Sequence, residues 1–151
     1  MNLNASRVVA APPGVVWEIM TDLEASKDTI TAIQSIEILS DSQEFGVGTK
    51  WRETRTMFGK QATEVMWVTH VDPGTSYIVR AESHGAIYTT VMAVVATGDG
   101  SSEISMDFGA ESTGTMARIA SATMGRLFAN ATKKAVARDL DDIADAAEAC
   151  V

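Results

Sequence analysis

The fold is decided by the C-terminal segment from Thr115 to Ala149, which reads TMARIASATMGRLFANATKKAVARDLDDIADAAEA. Apolar residues recur here every three or four positions, which is the spacing of a helix with one buried stripe. We therefore predict one long amphipathic helix. Its stripe comprises Ile119, Ala120, Thr123, Leu127, Ala131, Val136, Leu140, Ile143 and Ala147.

The other side of this predicted helix is charged, so we expect it to face water. A stripe of this length needs an apolar surface to cover it, because helices are held in proteins mainly by packing. Gly125 costs up to about 1 kcal/mol relative to alanine and indicates close packing or a bend, with a helix break as the alternative. The charged side carries Arg118, Arg126, Lys133, Lys134, Arg138, Asp139, Asp142, Asp145 and Glu148.

Most of the preceding chain alternates in the manner of strands, so the covering surface is predicted to be a sheet. Glycine, proline and aspartate separate the later strands at hairpin spacing, which predicts an antiparallel meander. Two short helices follow the first strand, one after Pro12-Pro13 and one from Asp22 or Leu23 to about Lys27. The predicted strands are Asn2 to Ala10, Ile30 to Leu39, Thr49 to Met57, Gln61 to Val71, Ser76 to Ser83, Ala86 to Thr97 and Ser101 to Ala110.

Length and charge restrict the classes of protein to consider. A chain of 151 residues suits a single domain over 1–151 with a genuine core. The net charge of −8 argues against a nucleic-acid surface, which needs clustered Lys and Arg. The N-terminus shows no signal peptide and the sequence no membrane span, so we expect a cytoplasmic protein. Cys150 is the only cysteine, and we interpret it as a free thiol.

The order of elements and several motifs resemble the SRPBCC superfamily, the START-like helix-grip proteins that include the polyketide cyclase/dehydrase group. The resemblance covers essentially the whole chain. It implies a curved seven-stranded antiparallel sheet wrapped on the C-terminal helix, with a cavity for an apolar small molecule between them. Lys27 to Ile30 departs from the pattern, because many members carry a tryptophan there. The motifs are APPGVVW at 11–17, Thr21-Asp22, FGVGTKWR at 45–52 and RETRTMFGK at 52–60.

Alternation assigns one face of the sheet to this cavity, since residues two apart in a strand share a side. A two-residue turn at Phe58-Gly59 pairs Met57 with Lys60 and sets Glu53 opposite Glu64. A register two residues further would instead set Arg55 opposite Glu64. The resulting face is mostly apolar with a few polar groups, as in small-molecule pockets. The predicted ligand-binding residues are Trp51, Glu53, Arg55, Glu64, Met66, Tyr77, Tyr88, Met92, Met106 and Phe108, with Met124 and Phe128 of the helix.

Glu53, Arg55 and Glu64 form the most informative group on this face. They predict either a polar anchor or acid/base pair for a ligand, or a salt bridge that only sets strand register. Val65, Trp67, Val71, Ile87, Val91 and Val95 make the opposite face apolar as well. That face predicts a homodimer contact, unless the two faces are inverted, in which case Glu53 and Arg55 lie on the surface.

Two functions remain open. The first is a non-catalytic binder of a lipid, polyketide or aromatic compound, favoured because no nucleophile has an adjacent base. The second is a cyclase/dehydratase-type enzyme in which Glu53, Glu64 or a tyrosine transfers protons. Tyr77 and Tyr88 fit a ligand hydrogen bond or simple packing. His70 and His84 are interpreted as turn residues, so we expect neither a metal nor another cofactor.

Overall fold

The computed structural model describes residues 2–41, 44–57, 59–83, 85–112 and 115–151, without the side chains at 57, 83, 112 and 115–129. Within these ranges, seven strands form one antiparallel sheet in the order β1-β7-β6-β5-β4-β3-β2. This is the predicted helix-grip arrangement. The elements are β1 (Asn2–Val9), α1 (Pro13–Thr21), α2 (Leu23–Thr29), β2 (Ile33–Ile38), β3 (Lys50–Met57), β4 (Lys60–Asp72), β5 (Ser76–Ser83), β6 (Ala86–Gly98), β7 (Ser101–Ser112) and α3 (Thr115–Glu148).

The two short helices begin where local chemistry favours a helix start. Pro13 is the first residue of α1, where its missing N–H removes no hydrogen bond. Asp22 caps α2, because its side chain accepts a hydrogen bond from the Ala25 amide at 3.2 Å. Helix α2 extends to Thr29, two residues beyond the predicted end. Strand β2 consequently starts at Ile33 and not at Ile30.

The β3–β4 hairpin has the register predicted from a two-residue turn. Met57 pairs with Lys60 and Glu53 pairs with Glu64. Arg55 pairs with Ala62, so the shifted register is wrong. Because side chains alternate, Trp51, Glu53 and Arg55 then lie on the same face of the sheet.

A bulge in β4 corrects one face assignment. The register between β4 and β5 shifts between Val68 and His70, so that Val71 pairs with Tyr77. One extra residue reverses which side the later residues face. Val71 therefore packs against the core and not on the outer face where alternation placed it.

Helix α3 is continuous from Thr115 to Glu148, so it does not break at Gly125. Val136, Leu140, Ile143 and Ala147 of its stripe are buried, as predicted. Asp139 was expected to face water, but only 6% of it is exposed. A helix that lies in the concavity of a curved sheet is enclosed on more than one side, which is why its stripe is wider than the apolar pattern indicates. The predicted stripe positions Ile119, Ala120, Thr123 and Leu127 lie outside the described side chains.

Polar contacts hold the end of α3 against the rest of the fold. Arg7 of β1 donates a hydrogen bond to the Asp141 carboxylate at 3.1 Å. The Glu148 carboxylate accepts from the Ala10 amide at 2.9 Å, and the Asp142 carboxylate accepts from the Thr31 amide at 2.9 Å. These contacts position α3 relative to both the sheet and the turn that follows α2. None of the helices in the described ranges combines the length and apolar character that spanning a membrane requires.

Candidate functional site: a cavity between the sheet and the C-terminal helix

A cavity of about 490 Å³ lies between the concave face of the sheet and the helices. This volume is in the usual range for small-molecule sites, and most of the lining is apolar. The apolar walls come from the sheet and from all three helices. They include Ile19, Met20, Leu23, Ile33, Val79, Ala81, Met92 and Val136.

Ten of the twelve predicted ligand-binding residues line this cavity: Trp51, Glu53, Arg55, Glu64, Met66, Tyr77, Tyr88, Met92, Met106 and Phe108. The side chains of Met124 and Phe128 lie outside the described part of the chain. The face assignment was therefore right, and the inverted assignment was wrong. That these residues bind a ligand remains a prediction.

A buried ion-pair cluster occupies the polar part of the cavity wall. The Arg55 guanidinium donates from Nε to Glu53 Oε2 at 2.9 Å and from Nη1 to Asp139 Oδ2 at 3.0 Å. Trp51 Nε1 donates to the other oxygen of Glu53, Oε1, at 3.3 Å. Glu53 is only 6% exposed. The cluster thus joins β3 to α3 and holds Arg55 and Glu53 in fixed orientations.

Burial and charge act in opposite directions on this cluster. Burial disfavours the charged Arg55 guanidinium, but the Asp139 and Glu53 carboxylates outweigh burial and raise the pKa of Arg55. Arg55 therefore stays charged. Burial raises the pKa of Asp139 above its ordinary value even though Arg55 opposes that rise, and the nearby charge of Glu53 adds to it. Asp139 is thus a carboxyl group that takes up a proton more readily than a surface aspartate.

Asp139 and Thr132 are cavity residues that the sequence prediction missed. Both line the cavity from α3 and are buried, with 6% and 3% exposed. Asp139 Oδ1 and Thr132 Oγ1 have no hydrogen-bond partner among the described residues. The helical spacing could have indicated their burial, because Thr132 precedes Val136 by four positions and Asp139 follows it by three. Both therefore lie beside the buried stripe.

Tyr77 has a defined packing role at the end of the cavity formed by α1. Its hydroxyl donates to the Met20 carbonyl oxygen at 3.2 Å. Trp17 and Phe45 pack edge-on against its ring, with centroid distances of 6.0 and 4.8 Å. Burial, together with the charge of Glu53, raises the pKa of Tyr77. This hydroxyl is therefore engaged with the backbone of α1.

Tyr88 lies in a more open part of the cavity wall. Its ring stacks on Phe108, with 5.7 Å between centroids and 23° between planes. Burial raises the pKa of Tyr88, and the charge of Glu64 contributes to the rise. Tyr88 and Glu64 thus place two further polar side chains on the cavity wall.

His70 does not line this cavity. His70 is exposed, and its Nδ1 lies 3.0 Å from the hydroxyl of the adjacent Thr69. His84 lies outside the described residues. Within the ranges that are described, no three His, Cys, Asp or Glu side chains are grouped so as to hold a metal ion.

Comparison with known proteins shows the family to which this chain belongs. The profile of the family described as "Polyketide cyclase / dehydrase and lipid transport" matches residues 1–148. The chain therefore belongs to this family, the polyketide cyclase/dehydrase group that the sequence motifs indicated. No curated protein has a significant sequence match to it.

Solved structures show the same fold at low sequence identity. Protein TTHA0849 from Thermus thermophilus is 18% identical, with a TM-score of 0.82 and 99% of each chain covered. The Zhui aromatase/cyclase from a Streptomyces species is 16% identical, with a TM-score of 0.79, 98% of this chain and 93% of that chain covered. A START superfamily protein from Mycobacterium smegmatis is 17% identical, with a TM-score of 0.70, 99% of this chain and 96% of that chain covered.

Proposed function

We propose that this protein binds an apolar small molecule, such as a lipid, a polyketide or an aromatic compound, in the cavity between the sheet and α3. The observation that carries the proposal is the cavity itself: about 490 Å³, walled mainly by apolar side chains, with one buried polar cluster. A cavity of this kind binds by burial of apolar surface and uses its few polar groups for orientation. The family description, which names lipid transport, agrees with this role.

Native mass spectrometry of freshly purified protein tests the proposal directly. We expect an additional mass that disappears after denaturation and that extracts into organic solvent. The matched variants are Ala135→Phe, which adds a ring to the cavity wall, and Ala137→Phe, which adds the same ring on the exposed side of α3. Ala135→Phe should lose the bound molecule and Ala137→Phe should retain it. Equal retention in both variants, or no binding across a panel of lipids and polyphenols, would contradict the proposal.

A second function is a polyketide cyclase/dehydratase-type reaction in the same cavity. One observation favours it: Asp139, a carboxyl with a raised pKa, lines the cavity beside a charged guanidinium. Glu53 is less suited to proton transfer than expected, because both of its oxygens accept hydrogen bonds from Trp51 and Arg55. Such an enzyme would close a folded poly-β-ketone chain and release water, with Asp139 moving the proton.

The enzymatic alternative is tested with a linear poly-β-ketone thioester as substrate. Loss of water from the product, followed by mass spectrometry, should be faster with the protein than in buffer and slower with Asp139→Asn. A rate equal to that in buffer would leave the protein as a binder only. Binding measured in the same samples separates a lost reaction from a lost ligand.

We also propose a homodimer through the outer face of the sheet. Trp67, Ile87 and Val91 are only partly buried on that face, and Val95 is 51% exposed. Apolar surface of this kind is typical of subunit contacts. Light scattering at high protein concentration should give twice the monomer mass, and Val95→Glu should return the monomer. A monomeric mass for the unaltered protein would dismiss the dimer.

A further inference from the structure

Three cavity residues have a buried polar side-chain atom without a hydrogen-bond partner among the described residues: Asp139 at Oδ1, Thr132 at Oγ1 and Arg80 at Nε. Asp139 and Thr132 are more than nine-tenths buried, whereas Arg80 is only partly buried. A buried polar atom without a partner has lost its hydrogen bonds to water and gained none in return. A ligand that supplies complementary groups at Asp139 and Thr132 recovers that loss.

We propose that Asp139 and Thr132 recognise an uncharged, elongated, apolar molecule with a hydrogen-bond donor such as a hydroxyl at the Asp139 end and a second hydroxyl near Thr132. The inference rests on the proposed function and adds the chemical class of the ligand. It assigns two positions that are separate from the residues predicted from sequence.

The helix geometry sets the length of this molecule. Thr132 and Asp139 are seven positions apart on α3, so they project from the same side after two turns, about 10 Å apart along the axis. Ala135 and Val136 line the cavity between them. The wall is therefore polar at two points and apolar between them, which complements a flat or extended body with polar groups at opposite ends.

The hydrogen bonds already present determine whether the Asp139 end of the cavity calls for a donor or an acceptor on the ligand. Asp139 Oδ2 accepts from Arg55, so only Oδ1 is open, and an ionised carboxylate can only accept. Both oxygens of Glu53 are occupied by Trp51 and Arg55. Within the triad of Glu53, Arg55 and Asp139, the open oxygen thus calls for a donor on the ligand.

The charge of the triad disfavours an anionic ligand. When Asp139 is ionised, one guanidinium faces two carboxylates, so negative charge is in excess within the triad, while Lys60, Arg80 and Glu64 are the other charged residues that line the cavity. A ligand carboxylate placed here would add a further negative charge where burial already penalises ionised groups. An uncharged alcohol or phenol avoids that repulsion and still satisfies Oδ1.

A series of naphthalene probes tests this selectivity in mildly alkaline buffer, which favours the ionised form of Asp139. The probes are naphthalene, a naphthol, the diol with hydroxyls at opposite ends, a methoxynaphthalene and a naphthoate, with binding followed by titration calorimetry. We expect the naphthol to bind about tenfold more tightly than naphthalene, since the new bond is to a charged acceptor. The diol should bind more tightly again, and the naphthoate more weakly than the naphthol.

Two variants assign the effects to the two residues. In Asp139→Asn the amide oxygen must face Arg55, so the amide NH₂ replaces Oδ1 and turns an acceptor into a donor. The naphthol should lose its advantage and the methoxynaphthalene should gain one. Thr132→Val has the same shape without the hydroxyl, so it should bring the diol to the affinity of the naphthol and leave the naphthol unchanged. Thr56→Val, on the exposed end of β3, is the matched control and should change nothing.

The outcomes separate this inference from the proposed function. If naphthalene and the naphthol bind equally to the unaltered protein, or if the naphthoate binds best, the inference is overturned while binding of apolar molecules stands. If no probe binds, both fail. If Asp139→Asn does not fold, the order of the probes on the unaltered protein and on Thr132→Val still decides the question.

Discussion

Arg55 Nη1 donates a hydrogen bond to Asp139 Oδ2 at 3.0 Å, and this ion pair links β3 to the C-terminal helix across 84 positions of sequence. The same guanidinium binds Glu53 at 2.9 Å, so one cation serves two buried carboxylates. This arrangement places a fixed polar group in an otherwise apolar cavity. It also makes the cavity wall sensitive to the loss of a single side chain.

Arg55→Ala is expected to destabilise the protein strongly. It leaves Glu53 and Asp139 buried without a counter-charge, and breaking a buried pair from one side costs about 3–5 kcal/mol. Urea denaturation measures the loss in the free energy of unfolding. The control is Arg52→Ala on the same strand, which breaks an exposed pair with Glu37 and should cost at most about 1 kcal/mol. Equal losses in the two variants would show that burial of the Arg55 cluster has no energetic consequence.

The raised pKa of Asp139 predicts a pH dependence of stability. Because the folded state holds this proton more tightly than the unfolded chain does, Asp139 adds stability below its ordinary pKa of 3.8. That contribution is lost as the pH rises from 3.8 through the raised folded pKa. The measurement is the free energy of unfolding against pH for the unaltered protein and for Asp139→Asn. The free energy of unfolding of the unaltered protein should fall relative to that of Asp139→Asn as the pH rises through that window. A difference between the two proteins that does not change with pH would contradict the raised pKa.

Tyr77→Phe should lower stability and leave the cavity able to bind. It removes the donor to the Met20 carbonyl and leaves that buried acceptor unsatisfied, which costs about 1–3 kcal/mol. Tyr88→Phe is the comparison, because Tyr88 is only partly buried, and it should cost less. Thermal unfolding and probe binding are measured on both variants. A Tyr77→Phe protein with unchanged stability but lost binding would assign its hydroxyl to the ligand.

Leu140→Ala tests how strongly α3 depends on the sheet. Leu140 is 1% exposed in the main core, and truncating such a leucine costs about 2–5 kcal/mol. Leu39→Ala is the matched control, because Leu39 is 36% exposed and its truncation leaves no enclosed void. Chemical denaturation of both variants gives the comparison. Similar losses would show that α3 is not packed as described.

Much of the fold could be read from the sequence because the signals for it are local. Hairpin turn lengths set strand register, so a two-residue turn at Phe58-Gly59 predicted the pairing of Glu53 with Glu64, and the structure decided between this register and the shifted one. The same alternation placed Trp51, Glu53 and Arg55 on the cavity face. It failed at Val71, because the β4 bulge is a backbone irregularity that the apolar pattern there does not reveal.

By itself, the sequence determined the antiparallel sheet and the long terminal helix, and it favoured one face of the sheet as the one that points toward that helix, because turn residues and apolar periodicity act over short distances. Only the tertiary structure decided that Asp139 meets Arg55 and that Thr132 lines the same cavity. A helical pattern shows which positions share a side, but the curvature of the sheet around α3 determines how wide that buried side is. Contacts between β3 and α3 depend on how the whole chain closes, and no local spacing records that.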